Sequence, residues 1–253
     1  FHLYIIMKLF KLLVFLILLI SPANANTIFY LIKIPNLELY KTSEINQIKY
    51  LKAKKAFQVG IRDNNVSCSK PYQSSVSEKF NSIKNQLDRY SKNFLKKINF
   101  KYLVLCRDLY VSDIPAAGVP NHKYKTVIIN LDLNAYLLER TLHHEIFHII
   151  NDNYKNLFNE NIWKKFNEQN FNYAKCSTCS ERLNLELYKK TNGFLTEYSK
   201  STPSEDMAET FSFLMIDFKK IEKIILNDNV LYKKVKFIKK NISKIDQNFI
   251  FQK

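Results

Sequence analysis

Apolar positions recur at two different periods along this chain, and the changes from one to the other lay out most of its elements. Between residues 77 and 98, Phe80, Ile83, Leu87, Tyr90, Phe94 and Ile98 return every three or four positions, which predicts one helix. Residues 100–106 (FKYLVLC) and 126–133 (TVIINLDL) are compact β-branched and aromatic runs that predict strands, the second being the stronger. Residues 27–60 mix similar residues with turns around Pro35 and predict several short strands. The stretch 113–125 holds Pro115, Gly118 and Pro120 and predicts a loop. Asn134 can cap a helix over 135–152. Residues 153–180, rich in Asn, Lys and aromatics, fit neither period. Residues 181–190 predict a further helix with Gly193 near its end, and Thr202-Pro203 opens another that runs to about residue 226. No linker divides the chain, and the pattern predicts one α+β domain.

Near the start the periodicity gives way to an apolar block. Met7, Lys8 and Lys11 form a short basic opening, residues 12–20 are unbroken apolar, and Ser21-Pro-Ala-Asn-Ala25 places small residues at Ala23 and Ala25. That order predicts a secretory signal peptide over 1–25, cleaved near Ala25, with residues 1–6 lying ahead of the start Met7. Nine apolar residues fall short of the about 20 that cross hydrocarbon, which disfavours a permanent anchor. The expected location is therefore secreted or periplasmic, with 26–253 as the mature domain. Export also makes Cys68, Cys106, Cys176 and Cys179 an even set in an oxidising compartment. Of the three pairings they allow, Cys68–Cys106 with Cys176–Cys179 is favoured. The other reading of Cys176-Ser-Thr-Cys179, half of a zinc site, lacks a second CxxC or CxxH.

Composition narrows the chemistry. With 46% hydrophobic and 25% charged residues, the chain can build a packed core. Only three glycines are present, so neither GxGxxG nor GxxxxGK[ST] can be written. The formal charge is +16, and residues 219–253 carry ten lysines against three acids. Such a run is either a solvated face or a contact for an anionic surface such as lipid or cell-wall polymer. There is no nucleic-acid recognition motif, and export argues against a nucleic-acid partner.

The sharpest chemical signal is His144-Glu145-Ile-Phe-His148, an HExxH inside the helix predicted over 135–152. Four helical residues advance about 400°, so His144 and His148 project from nearly one face, one turn apart. Two imidazoles so placed can bind one Zn²⁺, while Glu145, about 100° from His144, reaches water on the metal and acts as general base. A chance match on an amphipathic helix is the bland alternative, since Leu138, Leu142, Ile146 and Ile149 supply an ordinary core face. The adjacent His143 points away from His144 and reads as a packed or exposed helix residue, and His122 reads as a solvated loop residue. Downstream, Glu205 is the candidate third ligand. Glu209, one turn on, could accept the free ring N–H of a zinc-bound histidine, and Tyr198 could donate to a developing oxyanion. Thr202-Pro-Ser-Glu205 is equally a capping box, in which Glu205 would serve only the helix end.

His144 to His148, followed by Tyr198, Glu205 and Glu209 at these spacings, resembles the catalytic domain of anthrax lethal factor and the related Pro-Pro endopeptidases. The likeness covers roughly residues 115–217. It implies a zincin-like metallopeptidase domain of the gluzincin type, with a small mixed sheet packed on an HExxH helix and a second ligand-bearing helix. It assigns zinc to His144, His148 and Glu205, the base to Glu145, oxyanion assistance to Tyr198 and a supporting role to Glu209. It also implies that residues 126–133 lie beside an extended peptide or protein substrate. The expected activity is exported zinc-dependent peptide-bond hydrolysis. The rival reading is a catalytically inactive basic binding protein of the cell envelope or an anionic surface.

Overall fold

The computed structural model describes residues 37–59, 65–178 and 181–251. The expected signal peptide, the turns around Pro35 and the cysteine Cys179 lie outside the described residues. Among the described residues, eight strands form one mixed sheet centred on β5 (Tyr102–Val111), the longest of them. The first half of β5 runs parallel to β2 (Lys49–Ala53) on one side and parallel to β8 (Thr126–Asn130) on the other. β1 (Leu37–Thr42) adds to β2, and β7 (Gly118–Asn121) adds to β8, both antiparallel. The second half of β5 pairs with β4 (Val66–Ser69) and the short β6 (Ile114–Pro115), and β3 (Phe57–Val59) completes that side.

Side chains alternate across the sheet, and each face has its own core. Leu103, Leu105, Val127 and Ile129 point to the helices, whereas Leu51, Tyr102, Val104 and Cys106 point to the other face with Phe57, Cys68 and Leu109. Burial on both faces explains why β5 reads as an unbroken apolar run instead of an alternating one. Cys68 on β4 and Cys106 on β5 form a disulfide with a Cα–Cα separation of 5.8 Å, as expected.

The helical periodicity over 77–98 hides a break. α1 (Gln73–Leu87) ends at Asp88, and Ser91 then accepts the Phe94 N–H and starts α2 (Lys92–Lys97). Tyr90 and Ile98 stay buried, so the apolar pattern runs through the interruption. α3 (Ala135–Asn153) is capped by Asn134, whose side chain accepts from Leu137 N at 2.9 Å. α4 (Glu160–Lys164) follows, carrying the buried Trp163. A 3₁₀ turn (Tyr198–Lys200) leads to α5 (Pro203–Ile216), which packs side by side with α3. The helix expected to run to about residue 226 stops at Asp217, and α6 (Phe218–Ile224) continues separately. Asp217 closes α5 through its N–H to Phe213 O and opens the next turn through its own carbonyl to Lys220 and Ile221.

Residues 181–190 are not helical. The Asn184 side chain takes the Glu186 N–H at 2.8 Å, an Asx turn that competes with helical bonding. Distant donors take two backbone acceptors there: Tyr198 N bonds Asn184 O, and the Arg140 guanidinium bonds Leu185 O at 2.6 Å. The basic C-terminal stretch contains α7 (Asn229–Ile245), which buries Leu231, Val235, Ile238, Ile242 and Ile245. Its Lys234 is wholly buried and donates to Asp206 Oδ2 and Gly193 O, each at 2.7 Å. Trp163 Nε1 and the Tyr173 hydroxyl donate to the same Asp206 oxygen. This cluster joins the N-terminal turn of α5 to α4 and α7.

The loop expected over 113–125 contains β6 and β7. Pro120 is tolerated because β7 lies at the sheet edge. Asn130 N donates to Ala117 O, so the ladder bonds fall on Ala117/Asn130, Val119/Ile128 and Asn121/Thr126. Gly118 and Pro120 therefore turn their backbone groups to the outer edge. The expectation that residues 126–133 lie beside substrate needs correction. β8 is paired on both sides, its peptide groups are occupied, and the outer strand here is β7.

Candidate metal centre

The helical spacing of His144 and His148 brings both Nε2 atoms to one point on α3, 3.1 Å apart. α5 supplies the third atom. Glu205 Oε2 stands 2.9 Å from His144 Nε2 and 3.2 Å from His148 Nε2. Donors bonded at ~2.0–2.1 Å to a tetrahedral centre stand about 3.3 Å from one another, so these three have the spacing a zinc ion requires. Two imidazole nitrogens and one carboxylate oxygen are also the donor types zinc takes in open sites. The helix end takes the backbone of Glu205 but not its side chain. Its backbone N–H is capped by Thr202 Oγ1 at 3.2 Å, while its carboxylate turns across to the histidines instead of back to the cap.

Around these atoms lies a supporting layer. Glu209, 1% exposed, takes the other face of His144, with Oε1 3.0 Å from Nδ1. A carboxylate accepting the Nδ1–H leaves the Nε2 lone pair free for a cation. Thr196 Oγ1 donates to Glu209 Oε2 at 2.8 Å, and the Arg140 guanidinium is 3.8 Å from that oxygen. Ser204 Oγ lies 3.3 Å from His148 Nδ1. Burial opposes ionisation of Glu209, but the His144 bond, Arg140 and Thr196 prevail and hold its carboxyl below the ordinary range. Glu205 is lowered in the same way, burial being outweighed by His148 and His144. Burial also disfavours a charged His144, yet bonds to Glu205 and Glu209, with the charges of Glu205 and Glu145, raise its imidazole to about 10. The surrounding carboxylates thus favour positive charge at His144.

Glu145 occupies a separate niche, 6% exposed, and burial raises its carboxyl above the usual value. Tyr198 lies in the 3₁₀ turn with its ring 6.0 Å from that of His144. Burial, then the charges of Glu205 and Glu145, push its phenol up, so it stays protonated and able to donate. His143 is packed away from the site, as expected, its Nδ1 2.5 Å from the Tyr90 hydroxyl and its Nε2 3.0 Å from Gln86 Oε1. His122 lies on the surface, as expected, and pairs with Asp152 Oδ2 at 2.9 Å.

All six residues singled out in the sequence, His144, Glu145, His148, Tyr198, Glu205 and Glu209, meet in this one region. Arg140, Thr196, Ser204 and Gly118 were not anticipated. Arg140 is one helical turn before His144 and carried a signal in its spacing, but the other three act through contacts between elements distant in sequence. Among the described residues, His144, His148 and Glu205 form the one group with the geometry to hold a metal ion. The Cys176/Cys179 reading turns on Cys179, outside the described residues.

Comparison with curated proteins returns no match. A family model described as "Putative zinc-binding metallo-peptidase" matches residues 119–249, from the edge strand β7 through α7. The match extends past residue 217, where the resemblance read from the sequence ended, and takes in the helix that supplies Lys234. With half of the chain matched, and with two histidines and a glutamate gathered as zinc ligands would be, the chain belongs to this family of zinc-binding metallopeptidases.

Proposed function

We propose that the chain is an exported zinc-dependent endopeptidase of the gluzincin type, with one zincin-like domain over 26–253 once residues 1–25 are removed. The observation that carries the reading is the convergence of His144 Nε2, His148 Nε2 and Glu205 Oε2 beside the buried Glu145. The likeness of the motif set to lethal factor and the Pro-Pro endopeptidases supports the gluzincin assignment. Zinc held by His144, His148 and Glu205 supplies Lewis acidity, which polarises a carbonyl and makes water nucleophilic near neutral pH. Glu145 takes the proton of the attacking water at its carboxylate and returns it to the leaving amine nitrogen. A carboxyl raised by burial is suited to keep that proton between the two transfers. The Tyr198 hydroxyl donates to the carbonyl oxygen as negative charge develops there. Glu209 holds the His144 ring in its tautomer. An extended peptide can add to the outer edge of β7, where Gly118 offers an N–H and a carbonyl and Pro120 offers a carbonyl alone.

The test is a peptide library mapped by mass spectrometry, with and without a chelator, alongside metal analysis of protein purified without added zinc. We expect about one zinc per chain and chelator-sensitive cleavage. Glu145→Gln should keep the zinc and lower kcat by about 10²-fold or more. A Glu145→Gln chain that cuts at the wild-type rate refutes the base assignment.

One observation favours a second reading. Lys233, Lys236, Lys240 and Lys244 are exposed along α7, a basic face suited to an anionic surface. An inactive binding protein would hold anionic polymer in a salt-dependent manner and cleave nothing.

A further inference from the structure

The outer strand β7 passes close to the proposed base. A Cβ built on Gly118 would stand 2.5 Å from Glu145 Cγ, 2.9 Å from Cδ and 2.9 Å from Oε1. Real carbon atoms do not approach so closely without displacement. The chain has only three glycines, and the reason for this one is spatial. Gly193 has φ +85°, a conformation that favours glycine, whereas Gly118 is not among the residues with positive φ. The backbone at 118 would accept an alanine, and the three nearest atoms its methyl would meet all belong to the Glu145 side chain. Because the clash falls on Cγ and not only on the carboxylate tip, and rotation about χ2 leaves Cγ in place, relief by the side chain requires rotation about χ1. That rotation carries the carboxylate away from its present position.

We propose that Gly118 is a positioning residue for Glu145: the missing side chain on the edge strand forms the niche that holds the carboxylate beside the metal-binding face of α3. The inference rests on the peptidase reading for its catalytic meaning, and on the Gly118–Glu145 contact for its structural one. The same residue turns its N–H and carbonyl to the outer edge, so the position that seats the base also meets an extended chain lying there.

The experiment compares Gly118→Ala, Glu145→Ala and the double variant, each as the full chain, by melting temperature, zinc affinity and cleavage of a quenched peptide that the wild type cuts. Gly118→Ala should lower the melting temperature in the wild-type background and by clearly less when Glu145 is alanine, because the opposing Cγ is then gone. Its zinc affinity should stay within about threefold of wild type, while kcat falls about 100-fold with KM little changed. Equal melting losses in the two backgrounds, or a Gly118→Ala enzyme with wild-type kcat, overturn the proposal. If the wild type cleaves no peptide, the peptidase reading fails and the melting-temperature comparison alone decides whether Gly118 seats Glu145. If Gly118→Ala does not fold by itself, recovery of folding in the Glu145→Ala background supports the proposal, and failure there too overturns it.

Discussion

The residues at the centre divide the work by which atom each one faces. His144 has a carboxylate on both sides, Glu205 at Nε2 and Glu209 at Nδ1, and the two are not equivalent. Glu205 shares its oxygen with His148 and so belongs to the cation, whereas Glu209 shares its carboxylate with Thr196 and Arg140 and so belongs to the scaffold. Replacing Glu209 with glutamine keeps an acceptor for the ring N–H but removes the charge that favours a metal-bearing histidine. We expect Glu209→Gln to weaken zinc binding by about 10- to 100-fold with the fold intact, measured by competition with a chelator of known affinity. Unchanged affinity would make Glu209 a packing residue only. These roles were partly legible in the sequence. HExxH sets the two candidate metal-binding histidines and the proposed base on one stretch of helix, and Glu205 and Glu209 are one turn apart on a second helix. The capping role of the Glu205 region was legible too, but the direction of its carboxylate depends on α3 standing opposite.

At the scale of elements, several joints hold the ligand helices in place. Asp228 caps α7, accepting from Leu231 N at 2.9 Å, and also accepts from Gly193 N at 2.6 Å and from Thr191 Oγ1 at 2.5 Å. Burial opposes its ionisation, but the bonds from Leu231, Thr191 and Gly193 hold its carboxyl below the usual 3.8. A carboxyl lowered in the folded state contributes stability that is present above 3.8 and lost as pH falls through the folded value. Asp228→Asn keeps a capping side chain without the charge. The variant should melt below wild type near neutral pH, and the gap should narrow as pH falls below about 4. A constant gap across that range would show that the charge contributes nothing. Element boundaries were the least legible feature of the sequence. The break at 88–91 preserves the apolar period, and the Asn184 turn looks helical by composition. Strand β7 was missed because Pro115, Gly118 and Pro120 mark a loop unless a partner strand is known to lie alongside.

The whole molecule sets a sheet against a group of helices, with the site where α3, α5 and the edge strand meet. Three ligand atoms drawn from two helices make the metal a link between elements, so binding must favour the folded chain. Zinc at about 100 times its dissociation constant should stabilise the protein by about 2.7 kcal/mol, read as a rise in melting temperature that a chelator reverses. Glu205→Gln should lose most of that rise, because an amide oxygen is the weaker donor. A melting temperature indifferent to zinc would rule out these residues as a metal centre. The Asp206–Lys234 pair acts at the same scale. Burial pushes the Asp206 carboxyl up and the Lys234 ammonium down, and their pairing opposes both shifts, helped by Tyr173 and Trp163 at Asp206 and by the charge of Asp228 at Lys234. That pairing ties the C-terminal helix to the residue next to Glu205.

Local periodicity and short-range spacing were enough to determine the HExxH face, the cap of α3, the start of α5 and the strands β5 and β8. Each depends on residues within a few positions of one another, where backbone geometry leaves little freedom. The packing of α5 against α3 determined that Glu205 faces the histidines, the bonds to Asp206 and Gly193 made Lys234 a core residue within a basic stretch, and the pairing of β7 on β8 set β7 beside the site. Those outcomes join residues tens of positions apart, and no periodicity records which distant surface a side chain will meet.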